Sequence, residues 1–158
     1  MANRCENVLR VSGNYNDLMR FDSKFRAGKE NQEKNYHFDH LYPTPNLPVC
    51  ETAQWRQAHW GVKGNFYEET FARDIIQVGD REIYYYFETP SIGPELLIQR
   101  VSKDFPDMEF MLVYREDGND IGGINVYRDG NGIMEYGLTA EEKKYWFGED
   151  ERLEVVQK

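Results

Sequence analysis

The end of the chain leaves the least freedom. "MEFMLVYRE" (108–116), "DIGGINVYRD" (120–129) and "GIMEYGLT" (132–139) are three β-rich runs joined only by "DGN" and "GNG". Connections this short, made of Asp, Asn and Gly, reverse the chain tightly, so the three runs form an antiparallel meander. A sheet with one apolar face needs a layer to cover it, and the preceding segment supplies one. "SIGPELLIQRVSKDFP" (91–106) carries Leu97, Val101 and Phe105 at i, i+4 and i+8, the period of an amphipathic helix. Ser91 is its expected N-cap, and Pro94 is tolerated in its first turn.

The same logic runs through the first half. "CENVLRVSG" (5–13) alternates as a strand ending at Gly13. After it, Leu18, Phe21 and Phe25 form a helical stripe, with Asn14 or Asn16 as N-cap and Gly28 as stop. "ARDIIQVGDREIYYYFETP" (72–90) reads as a hairpin turning at Gly79-Asp80. Between these lies an irregular insertion, about 29–71. It comprises a polar loop (29–35), an extended segment stopped by three prolines (37–48) and a short helix (51–60). Strand, helix, hairpin, helix, meander is the order of an α+β, ferredoxin-like domain with two helices on one face of an antiparallel sheet. One domain spans 1–158. Its charged tail (about 140–158) is expected to fold Tyr145, Trp146 and Phe147 back onto the body.

Composition narrows the function classes. The 28 acidic against 19 basic residues give a net charge of −9, which repels phosphate and disfavours broad electrostatic binding of nucleic acid. Cys5 and Cys50 have no metal or redox spacing and read as free, buried thiols of a reducing compartment. Neither a signal-peptide pattern nor a run of about 20 apolar residues is present, so a cytoplasmic protein with no membrane partner is expected.

Several blocks, in order, are familiar. "NRCENVLRVSG", "FDHLYPTP", "WGVKGN" and "LIQRVSKDFPDMEFMLVYREDG" resemble the YubB-type ferredoxin-like domain family, small proteins of bacterial plasmids, phages and integrative elements. The resemblance covers about residues 3 to 130, and implies the same fold and a mobile-element origin. It implies no chemistry. Relatives show Trp and Asp after the Lys of the W-G-x-K block; Gly64 and Asn65 stand there in this chain.

The candidate sites are weighed residue type by residue type. His37, Asp39 and His40 are metal-ligand types within four residues, yet on a strand His40 would face away from the other two. They mark a minority reading, a small metal-dependent hydrolase, which His59 could join. No motif calls for a cofactor. In "HWGVKGNF" a structural turn is expected, with Gly61 and Gly64 at positive φ and Trp60 and Phe66 as ring anchors, leaving His59, Trp60 and Lys63 as candidate contacts. Alternation places Tyr84 and Tyr86 together on one face of their strand. There they could stack on bases of single-stranded nucleic acid, or on a protein. Residues 104–120 hold six acids against the single base Arg115; Glu116, Asp117 and Asp120 are its candidate binding groups. An acidic surface can mimic phosphate and occupy host nucleic-acid machinery. The leading expectation is therefore a non-enzymatic accessory protein that binds a host protein.

Overall fold

The computed structural model describes residues 3–27, 35–76, 81–116, 118 and 121–148. The expected Gly28 stop, most of the 29–35 loop, the Gly79-Asp80 turn, and Asp117 and Asp120 lie outside them.

Alternating residues build β1 (Arg4–Ser12), and the chain turns into α1 (Tyr15–Phe25) through the cap residue Asn14, whose Oδ1 accepts from the Asp17 N–H at 2.9 Å. Two 3-10 turns (Phe38–His40 and Glu68–Thr70) and α2 (Val49–His59) occupy the described part of the insertion. Then come β2 (Ala72–Ile76), β3 (Glu82–Pro90), α3 (Glu95–Asp104), β4 (Glu109–Glu116), β5 (Ile121–Arg128), β6 (Asn131–Gly137) and α4 (Ala140–Phe147). The strands form one sheet in the order β2-β3-β1-β4-β5-β6, antiparallel throughout. The first four have the connectivity of the ferredoxin-like fold, and the meander extends it by β5 and β6.

Alternation sorts side chains between the two faces. Leu9, Val11, Ile83, Tyr85, Phe87, Phe110 and Leu112 meet Leu18, Phe21 and Phe25 of α1 and Leu97, Ile98 and Val101 of α3 in one core. The opposite face carries a smaller cluster, Val8, Met111, Val113, Ile124 and Val126. Trp146 and Phe147 of α4 pack against it, while Tyr145 stays 81% exposed.

Four expectations need correction. Residues 37–48 are not an extended segment: the His37 Nδ1 accepts from the Asp39 N–H at 2.9 Å and folds the chain into the 3-10 turn, burying Phe38. Ser91 does not cap α3. It sits at φ +65° in the turn after β3, and the helix begins at Glu95. Gly64 does not use positive φ, whereas Gly61 does, at +88°. Cys50 is exposed, because it lies in the first turn of α2, a helix with no buried residue.

Candidate interaction face

The face without α1 and α3 concentrates groups suited to recognition. On β3, the Tyr84 and Tyr86 rings lie 6.5 Å apart and within 16° of parallel, two residues apart on one strand. Their β1 partners in register are Arg10 and Val8. Tyr84 donates its hydroxyl to Glu82 at 2.9 Å; burial, then this acceptor, raises its pKa. Tyr86 is 38% exposed, and its neighbour across on β2 is Ala72, too small to cover it. Burial and the nearby Asp74 carboxylate raise its hydroxyl as well. Arg10 extends between Tyr84 and Glu109, its Nη2 4.0 Å from the Glu109 carboxylate, while its Nε is buried with no hydrogen-bond partner among the described residues. The patch therefore offers two aromatic faces, an arginine stem and a rim of carboxylates. Such groups bind by contact. Neither tyrosine is poised to act as a nucleophile, since both hold their protons above the ordinary range.

Farther across the same face, Arg115 anchors α4. Its Nη2 donates to both Glu6 oxygens at 2.9 and 3.1 Å, its Nη1 donates to the Gly148 carbonyl at 3.2 Å, and its guanidinium lies 5.2 Å from the Phe147 ring. The tail helix thus covers the β4 side, and no other helix among the described residues covers the tyrosine side.

The remaining candidates are scattered. Trp60 is fully buried; its Nε1 donates to the Tyr42 carbonyl at 3.0 Å, and its own carbonyl accepts from the Leu97 N–H at 3.1 Å. That carbonyl does for α3 what a side-chain cap would do, because the preceding residue, Pro94, has no acceptor side chain. At Gly61 a Cβ would lie 3.5 Å from the Glu95 and Leu96 nitrogens, so the Trp-Gly pair is fitted to the start of α3. Asn65 accepts from the Phe38 N–H at 3.1 Å and ties this loop to the Phe38–His40 3-10 turn. His59 stacks on Trp55 at 4.2 Å and donates from Nδ1 to the Trp55 carbonyl at 2.8 Å; Lys63 is exposed.

His37, Asp39 and His40 are all engaged locally. Burial lowers the His37 pKa against the pull of Asp39, and His40 meets the Phe25 carbonyl at 2.8 Å. Burial alone would raise the Asp39 carboxyl. The Thr44 hydroxyl and N–H outweigh it, with His37 and Arg56, and hold the group below the ordinary carboxylate range. No group of three His, Cys, Asp or Glu among the described residues is placed to hold a metal ion. The acidic run is also divided: Asp104 pairs with Arg100 and Lys24, Glu109 faces Arg10, and Glu116 is 3% exposed and accepts from the Gly118 N–H at 3.0 Å. Cys5 is buried beside Glu116; desolvation first and that carboxylate second push its thiol up to about 12, far from a reactive thiolate.

The group that sequence reading missed lies in the core. Asp22 of α1, 1% exposed, accepts from the Tyr36 and Tyr85 hydroxyls at 2.8 Å each, from Arg26 Nε at 3.0 Å and from Arg73 Nη1 at 2.7 Å. The signal was present: Asp22 stands at i+4 from Leu18, an acid inside an apolar stripe.

The family model described as "Ferredoxin-like domain in Api92-like protein" matches residues 66–157. The chain belongs to this family. The crystal structure of the protein api92 from Yersinia pseudotuberculosis superimposes with a TM-score of 0.65 at 10% identity, covering 89% of this chain and 99% of that one. At that identity the likeness shows the fold, which extends to most of the chain and so reaches well before the family match. No curated protein matches. Among the described residues, no helix is long and apolar enough to cross a membrane.

Proposed function

We propose that this chain is an accessory protein of a phage, plasmid or integrative element, and that it inhibits or modulates a host nucleic-acid or defence system by holding a host protein against its tyrosine-bearing sheet face. The observation that carries the reading is the Tyr84–Tyr86 pair, with Tyr86 exposed and Tyr84 half-buried against the smaller cluster, on a face that α1 and α3 do not cover. Tyrosines offer large contact area with few rotatable bonds, which favours them at the centres of protein interfaces. The mobile-element setting is supported by the ordered blocks shared with YubB-type proteins. The net charge of −9 favours a basic protein surface over a nucleic acid.

A photo-crosslinking residue placed at position 86 tests this in host extract. The expected result is one recurrent host protein, absent when the crosslinker sits at Tyr145, which is exposed but outside the patch. Equal capture from both positions, or none from position 86, would overturn the reading.

One observation favours a second reading. Near-parallel rings beside Arg10 could stack bases of a single strand. Glu82, Asp74 and Glu109 surround them and oppose phosphate. Salt-dependent binding of labelled oligonucleotides that disappears in Tyr86→Ala would put this reading first. The hydrolase alternative has no assembled ligand set among the described residues.

A further inference from the structure

On the other side of the sheet, at its far edge, lies a site that uses neither tyrosine. β6 is an edge strand among the described residues: it pairs with β5 on one side, and all seven of its residues are exposed. Its sequence, "NGIMEYG", has no Lys, Arg or Pro, the residues with which proteins usually block edge-to-edge pairing. Ile133, Met134 and Tyr136 remain 54, 52 and 43% exposed along it. The unused backbone donors and acceptors of such an edge are a template for one more strand.

Beside this edge a cleft of about 240 Å³ opens, lined by Asn125, Tyr127 and residues 132–135. Asn125 is 3% exposed, and its Oδ1 is buried with no hydrogen-bond partner among the described residues. A buried amide oxygen without a donor is costly, and is rarely left so without a reason. Carboxylates flank the same place. Glu135 lies opposite Asn125 in the β5–β6 register and lines the cleft, and Glu95, in the first turn of α3, acts on the hydroxyl of the lining residue Tyr127. Burial, then Glu95, pushes the Tyr114 hydroxyl up to about 12, and the same two causes raise that of Tyr127; Glu135 adds to both. The cleft thus has a free acceptor and two negative charges, the complement of a cationic N–H donor.

We propose that β6 takes up an extended basic segment of a partner protein as a seventh strand, with one arginine or lysine side chain entering the cleft beside Asn125, Glu135 and Glu95. Backbone pairing to the edge supplies register, and the acidic cleft supplies the choice of side chain. A second copy of this chain is a poorer occupant: its own β6 brings no cation to the cleft, and the copies share a charge of −9.

The test is an amide NMR titration of the full chain with an acetylated, amidated Thr-Val-Arg-Val-Thr peptide. Its counterpart with citrulline in place of arginine keeps the shape and removes the charge. The expected result is shifts confined to residues 123–137, at least tenfold weaker binding of the citrulline peptide, and a similar loss in Glu135→Gln, an exposed position whose change leaves the fold intact. Tyr84→Ala and Tyr86→Ala should leave the titration unchanged, so failure here is separable from failure of the tyrosine-face reading. No shift in β6 at millimolar peptide would overturn the proposal, as would equal affinity for both peptides. So would concentration-dependent dimerisation through β6 in the absence of peptide.

Discussion

The two faces of this sheet are made from the same strands by the same alternation, yet they are finished differently. On one, rings from α1, the insertion and the strands close around Phe25, which meets Phe21, Tyr36, Phe38, Phe66, Phe71 and Tyr85 at centroid distances of 5.0 to 6.5 Å. On the other, a five-residue cluster is covered on one side by α4 and left open on the other. The first arrangement holds the fold, and the second leaves apolar and aromatic groups available to something else. The protein can lose a side chain from its open face and stay folded; from the closed one it can lose almost nothing.

That contrast can be broken by truncation. Phe25→Ala should lower stability by about 3–5 kcal/mol, because a fully buried ring leaves a cavity. Trp146→Ala, partly buried on the open face, should lower it by about 1 kcal/mol. Urea unfolding followed by circular dichroism measures both, and equal losses would erase the distinction.

The next largest effect belongs to Asp22. Asp22→Asn keeps the shape but turns one acceptor into a donor facing Arg26 or Arg73, and should cost about 2–3 kcal/mol. An unchanged denaturation midpoint would show that the network is dispensable.

A smaller effect appears in alkali. Burial, then Asp22, raises the Tyr85 hydroxyl well above its ordinary value, and Tyr36 rises for the same two causes. The folded state therefore holds these protons more tightly than the unfolded chain does. Their stabilisation is complete below about pH 10, the value for free tyrosine, and is lost as pH rises beyond it. Absorbance at tyrosinate wavelengths should show the most exposed tyrosines ionising first, with Tyr36 and Tyr85 ionising only as the protein unfolds. A single titration step with the fold intact would contradict this.

How legible each part was follows from how local its causes are. The helix stripe of Leu97, Val101 and Phe105 and the Asp129-Gly130 turn between β5 and β6 are written in consecutive residues, and they form as read; most of the turn between β4 and β5 lies outside the described residues. Residues 37–48 are decided at a distance. Asn65 holds Phe38, and Arg56 together with Thr44 holds Asp39, so three prolines pointed to an extended run that side chains elsewhere fold into a turn. Asp22 was visible as an acid in an apolar stripe, but its partners Tyr36, Arg73 and Tyr85 lie 14, 51 and 63 residues away. The Tyr84–Tyr86 pair was readable because a strand alternates by rule. Which face α4 would cover was not, because it depends on Arg115 reaching Glu6, Phe147 and Gly148 at once. The W-G-x-K block was conspicuous in sequence, and its Trp60 and Gly61 serve the start of α3.

The most direct test of the open face changes both tyrosines together. In Tyr84→Ser/Tyr86→Ser, the account predicts a stability loss under about 2 kcal/mol, since neither side chain belongs to the closed core. It also predicts loss of the host protein that a crosslinker on this face recovers from the native chain. A double variant that stays folded and still recovers that protein would contradict the account.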